Sequence, residues 1–181
     1  MEPNELITKR WSPRAFFNKT VEEEKLQTLF EATRWTPSSM NEQPWRFVLV
    51  EKKNKEAFDN IIDTLMDGNK DWASTAPVLI CVAAKCRFDY RDLENRHAIY
   101  DTGQAVATFT LQATDLGLYV RQMGGFTPEK AKKNLQIPDG FEPIVILALG
   151  YANQDSKPER TRNEKQTWVF ENRFGQNKDF Y

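Results

Sequence analysis

Among 181 residues there are one histidine, two cysteines and eight glycines, and each shortage removes a class of chemistry. His97 alone cannot build a multi-histidine metal site, and a Ser-His-Asp triad would have to be assembled around it. Early in an amphipathic helix, it reads as a surface or packing residue. Cys81 and Cys86 lie in a strand-like run at a spacing that fits neither a CxxC redox pair nor the usual zinc patterns, so both read as buried thiols. P-loop and GxGxxG sequences are missing, which removes the usual phosphate cradles. Charge of one sign is missing too: 25 basic against 26 acidic residues leave a net charge of −1. No overall basic field would hold nucleic acid or an anionic membrane, so any anion must be held locally. No apolar run approaches the ~20 residues of a membrane span, and the start MEPNELITKRWSPRAF carries no signal-peptide core. The expectation is a cytoplasmic protein with no metal, nucleic-acid or membrane partner. Any chemistry would belong to a bound cofactor.

What is present is apolar and aromatic material, 40% and 12% of the chain, enough for one core and most simply one domain over residues 1–181. The stretch from Trp35 to Val50 joins a helix to a core strand through a loop of short donors and acceptors. Thr36-Pro37 ends the helix, because a residue before proline is pushed out of the α region. Ser38, Ser39, Asn41 and Gln43 follow, Pro44 closes the loop, and Trp45, Phe47, Leu49 and Val50 anchor it on the edge of a sheet. A binding loop and a solvated turn both fit this composition. Arg10, Ser12 and Arg14 alternate around Pro13 and can point one way, either as an anion grip or as a solvated basic turn. Gly124-Gly125 permits close backbone approach to a flat ligand, or a plain turn.

Along the chain, Asn4 to Lys9 can form a short helix. Thr20 with Glu23 has the capping-box pattern for a helix carrying Leu26, Leu29, Phe30 and Thr33 up to Trp35. Phe58, Ile61, Ile62, Leu65 and Met66 line a second helix, stopped by Gly68, and Asn69 to Trp72 reads as a polar connector. Pro77 to Ala84 is a continuous apolar run of the central-strand kind. Lys85 to Asn95 has charge of both signs and no apolar period, which suits an irregular loop. A long, broadly apolar helix runs from Arg96 to Gly117, with Leu118 to Val120 a short apolar piece after it. Thr127-Pro128 opens a helix, Pro138-Asp139-Gly140 marks a turn, and Ile144 to Leu149 is another strand. From Tyr151 the chain turns polar yet keeps Trp168, Phe170, Phe174, Phe180 and Tyr181. It is too aromatic for a disordered tail, and would wrap over its own surface or a partner's.

Taken together these segments resemble the nitroreductase family of flavin mononucleotide (FMN) enzymes, in its compact version. Arg10-Trp11-Ser12-Pro13-Arg14 is similar to that family's RxSxR pattern, and Pro37-Ser38-Ser39-Met40-Asn41-Glu42-Gln43-Pro44-Trp45 to its PSSxNxQPW loop. Arg121 to Phe126, Leu149-Gly150-Tyr151 and Arg160-Thr161-Arg162 follow in the family's order. The resemblance implies an α+β fold with a central mixed sheet flanked by helices, and an intertwined homodimer with an arm, about 152–181, reaching the partner. It implies FMN in two interface sites, NAD(P)H as electron donor, and a nitro compound, a quinone or a related small acceptor. Arg10, Ser12, Arg160 and Arg162 would hold the phosphate, while Arg14 and Asn69 would face the pyrimidine edge. Pro37, Ser38, Ser39, Met40 and Asn41 would come from the other subunit, and Gly124 and Gly125 would lie at the N5 and O4 side. No side chain is expected to do the chemistry, since the hydride passes through flavin N5. A flavin store or redox sensor without turnover, and a same-fold flavoenzyme of different chemistry such as dehalogenation or ring oxidation, are the alternatives. Lys85 to Asn95 is the one candidate lid.

Overall fold

The computed structural model describes residues 2–91, 93–153 and 159–178. Phe180 and Tyr181 of the expected aromatic arm lie outside the described residues. Ten elements carry the fold: helices α1 (Glu5–Lys9), α2 (Glu23–Arg34), α3 (Lys55–Thr64), α4 (Asp67–Ala73), α5 (Ala98–Asp115) and α6 (Pro128–Asn134), and strands β1 (Trp45–Glu51), β2 (Val78–Lys85), β3 (Tyr119–Met123) and β4 (Phe141–Gly150). The strands form one sheet in the order β1-β2-β4-β3. It is an α+β arrangement, with α2 and α5 over one face and α3 and α6 over the other.

Strand β2 explains that layering. Its residues are buried on both sides, which is why its sequence is a continuous apolar run instead of an alternating one. Leu79 and Cys81 point into a core with Phe58, Ile61, Ala131 and Ile146. Val78, Ile80 and Val82 point the other way, into a core with Leu26, Leu29, Phe109 and Leu147. Fully burying each such side chain stabilises the fold by ~1.5–3 kcal/mol, so both faces must be covered. Within the second core, Phe30, Phe47 and Phe109 pack ring against ring at 5.6–5.9 Å.

Three expectations are corrected. The sheet is antiparallel at every pairing among the described residues, where a mixed sheet was expected. Strands β1 and β2 are joined through two helices, α3 and α4, and β3 and β4 through one, α6, and both pairs run antiparallel. The capping box does not form: α2 begins at Glu23, Glu22 is its N-cap, and neither Thr20 nor Glu23 makes the reciprocal bond. Val21 is drawn into the core at 2% exposure, which shifts the helix start beyond Thr20. Gly68 does not stop α3, which ends at Thr64. Leu65 is instead extended and bridges Phe126, and Gly68 sits inside α4 with Asn69 and Trp72. Pro128 does take the first position of α6, and Gly117 ends α5 with φ of +72°. No helix among the described residues is long and apolar enough to cross a membrane.

Glu22 has another task than capping. Its carboxylate accepts from the Tyr151 hydroxyl, and Lys25 Nζ donates to the same oxygen of Tyr151 at 2.9 Å and to Leu116 O at 3.0 Å. The start of α2, the end of α5 and the exit of β4 are thereby tied together. The Tyr151 hydrogen bond, with Lys19 beside it, pulls the Glu22 carboxyl down to about 2. A folded-state value below the unfolded one means that the contribution is present above the usual carboxylate range and is lost as pH falls toward 2. Unfolding midpoints measured from pH 6 to pH 2 should therefore fall less steeply for Glu22→Gln than for the wild type. Gly150 is fixed by packing: a Cβ there would stand 2.6 Å from Pro77 Cδ and 3.2 Å from the Phe16 ring. Gly150→Ala should cost about 1–3 kcal/mol in denaturant unfolding, because neither neighbour can swing away.

Candidate functional site

The first half of the site is a cluster of guanidinium groups. Asn4 caps α1, and the chain then runs extended through Arg10, held by Trp11 and Phe16, which are 6% and 4% exposed. The Trp11 ring meets Tyr119 edge-on at 5.6 Å, and Phe16 bridges Ala152. Between these anchors Arg10 Nη1 donates to Ser12 Oγ at 3.2 Å. Arg160 returns from 150 residues away to donate to Arg10 O, and to Thr8 O at 2.6 Å. Burial, and then the charges of Arg160 and Arg162, push the Arg10 guanidinium below its ordinary value. The structure thus brings Arg10, Ser12 and Arg160 together, with the charge of Arg162 near enough to act on Arg10.

Arg14 is exposed, and its charge bears on Arg121. Arg121 Nη1 donates to Ser12 O at 2.7 Å, and its guanidinium lies 5.1 Å from the Trp72 ring. Burial first, and Arg14 second, lower the Arg121 value. Arg121 was quoted in a motif without a role, yet a signal was available. It shares a strand face with Tyr119 and Met123, and Met123 is core, so this charge points inward.

The second group is Asn69 with the glycine pair. Asn69 Nδ2 donates to Gly125 O at 3.1 Å, and the Met66 N–H to the same oxygen at 3.0 Å. A Cβ on Gly125 would lie 2.9 Å from Asn69 Nδ2, so a side chain there would push the Asn69 amide off the Gly125 carbonyl. A Cβ on Gly124 would meet nothing within 4 Å, which leaves its backbone open to a ligand.

The third group is the loop before β1. Pro37 is exposed, and Ser38 and Ser39 are half-buried. Ser38 Oγ accepts the Gln43 N–H at 2.9 Å, the Ser39 N–H donates to Asp101 Oδ2 at 2.9 Å, and Thr36 bonds Thr108 at 3.0 Å. Asn41 Oδ1 accepts from Gln43 Nε2 at 3.2 Å. Met40, Asn41 and Gln43 have φ of +55°, +55° and +49°, a region that costs non-glycine residues roughly 1–2 kcal/mol each. Met40 is 71% exposed. Strain held by cross-loop hydrogen bonds points to a loop kept in shape for a purpose.

These groups do not all meet in one chain. Trp45, where the loop enters the sheet, pairs with Ala84, while Tyr119, beside Trp11, pairs with Gly150, whose neighbour Leu149 pairs with Val78. Ala84 and Val78 are near opposite ends of β2, roughly 20 Å apart at ~3.3 Å per residue. The serine loop and the Arg10 segment therefore stand at opposite ends of the sheet. His97, whose Nε2 accepts from Arg96 at 3.2 Å, makes no hydrogen bond to any of these groups. Burial pushes the Cys81 thiol up to about 12, and Cys86 is only half-buried, against the expectation of two buried thiols. No group of three metal-ligating His, Cys, Asp or Glu side chains forms among the described residues.

An α+β sheet protein with gathered arginines at one end and a strained polar loop at the other is the class that these features define. The sequence pattern of the nitroreductase family matches residues 7–151, and the chain belongs to that family of oxidoreductases. A protein of Stenotrophomonas maltophilia (strain K279a), provisionally named an NADH dehydrogenase/NAD(P)H nitroreductase, is 30% identical over 158 residues, covering 77% of this chain and 79% of its own. The FMN reductase [NAD(P)H] of Bacillus subtilis (strain 168) is 25% identical over 185 residues, covering 90% of this chain and 73% of its own. The crystal structure of an oxidoreductase containing FMN superposes with a TM-score of 0.89 at 31% identity, covering 98% of this chain and 95% of that one.

Proposed function

We propose that residues 1–181 form a single FMN-binding domain of a homodimeric oxidoreductase that uses NAD(P)H to reduce nitro compounds, quinones or a related small acceptor. The observation that carries this reading is the gathering of guanidinium charge at Arg10, which bonds Ser12, carries Arg160 on its own carbonyl and feels the charge of Arg162. Like charges packed together repel, and a phosphate bearing nearly two negative charges offsets that repulsion. Arginine forks suit such a group better than lysine point charges. The donor set fits a flavin phosphate, and Gly124, Gly125 and Asn69 fit a flat ring that needs close backbone approach.

Bound FMN would supply the redox chemistry, taking a hydride from reduced nicotinamide and passing it to the acceptor. Arg10, Ser12, Arg160 and Arg162 would hold the phosphate. Arg14 and Asn69 would face the pyrimidine edge, where Arg14 stabilises the negative charge that gathers on reduction. Gly124 and Gly125 would offer backbone groups on the N5 and O4 side. Pro37, Ser38, Ser39, Met40 and Asn41 would serve the neighbouring subunit's site, because their own chain holds them at the far end of the sheet. Helix α5 supports a second copy: Ile99, Gly103, Ala107 and Leu111 form an apolar stripe at four-residue spacing, with Ile99 58% exposed. So does the arm, where Phe170 and Phe174 pair at 4.6 Å while Phe174 stays 92% exposed.

The purified protein should be yellow, release FMN on denaturation, scatter light as a dimer, and oxidise NADPH or NADH faster when a quinone is added. Arg10→Ala and Arg162→Ala should each weaken FMN binding about tenfold or more, the loss expected of one charge-assisted contact. Wild-type affinity in either variant, measured by flavin fluorescence titration, would remove that residue from the phosphate site. A flavin store or sensor would bind equally well but show no quinone-dependent turnover.

One open face over the ring, between the Ser38–Asn41 loop of one subunit and the glycine pair of the other, would admit one planar substrate at a time. Double-reciprocal plots at several acceptor concentrations should be parallel. His97→Ala should leave turnover largely intact, and a hundredfold loss would reveal a proton donor at that position.

A further inference from the structure

The segment between β2 and α5 holds no helix or strand among its described residues, in keeping with the irregular loop expected, yet it is braced into a finger. The Phe88 N–H donates to Leu93 O at 2.8 Å, the Asn95 N–H to Cys86 O at 2.8 Å, and Arg87 bridges Glu94 across it. Its base is held by the Cys86 N–H on Gly140 O at 2.9 Å. Its flank is fastened to the serine loop by Glu42, whose side chain is 7% exposed. Glu42 Oε1 accepts the Asp89 N–H at 2.8 Å and meets Lys85 Nζ at 3.4 Å, and Lys85 also pairs with Asp89. Glu42 adjoins Asn41, so the finger stands beside the loop and is positioned by it.

The tip of the finger carries unspent binding chemistry. The Phe88 and Tyr90 rings lie 5.4 Å apart, and Tyr90 and Leu93 are 53% and 54% exposed. The Arg91 guanidinium lies 5.3 Å from the Tyr90 ring, and no carboxylate among the described residues pairs with it. Two aromatic faces and a cation at one edge suit a planar aromatic body that bears an anionic group.

We propose that this finger is an acceptor subsite, in which Phe88 and Tyr90 receive the aromatic body and Arg91 its carboxylate, so that anionic aromatic acceptors are preferred over neutral ones. The proposal rests on reading the neighbouring loop as one wall of an FMN site. The test compares 4-nitrobenzoate with methyl 4-nitrobenzoate on the FMN-loaded protein, using wild type, Arg91→Gln, Arg91→Lys and Tyr90→Ala. Arg91→Gln should lower kcat/KM for the acid about tenfold, mainly through KM, while the ester changes by less than about twofold. Arg91→Lys should restore part of the difference, and Tyr90→Ala should weaken both acceptors. The acid preference of the wild type should also shrink as salt is raised. An FMN-loaded Arg91→Gln with an unchanged acid-to-ester ratio overturns the subsite and leaves the proposed function standing. So does a loss confined to flavin reduction by NADPH, which would assign Arg91 to the donor. A protein that binds no FMN overturns both.

Discussion

Burial of β2 on both faces is the constraint on which the rest depends. A strand with Val78, Ile80 and Val82 on one side and Leu79 and Cys81 on the other cannot be wetted on either, so helices must cover both. With the faces occupied, polar chemistry is left to the ends of the sheet and to its edges. The serine loop enters at the Ala84 end of β2, and the Arg10 segment passes the opposite end.

Electrostatics decides what the arginine end can hold. Burial first, and then the charges of Arg160 and Arg162, make the Arg10 guanidinium costlier to keep charged. Ser12 and the backbone oxygens of Thr8 and Arg10 absorb part of that cost. Arg121, wedged between Ser12 and Trp72, adds another positive charge nearby. An array of this kind is better suited to an anion than to self-contained folding. The strained loop at the other end follows the same logic, with three left-handed residues held by Asp101, Ser38 and Gln43 instead of by glycine.

Much of this was legible from local pattern. The short helix ending at Lys9, the Pro128 start, the Gly117 stop and the apolar run of β2 are short-range signals, and the structure follows them. The misreadings fall where tertiary contacts outvote local preference. Val21 enters the core and moves the start of α2 past Thr20, while Leu65 pairs with Phe126 and ends α3 before Gly68 is reached. The brace on the irregular segment from Lys85 to Asn95 comes from Glu42, more than 40 residues away, so no local pattern announces it.

The sequence by itself determined the class: a two-faced apolar strand, helices at 3.6-residue spacing, and residue types suited to a phosphate and a flat ring, with membership of the nitroreductase family carried by motifs in order. Those properties are local, so composition and spacing suffice. Only the tertiary structure decided that Arg160 joins Arg10, that Arg121 points inward, that the sheet is antiparallel, and that the two halves of the site lie apart. Each depends on which distant segments share a surface, and that is settled by packing the whole core at once.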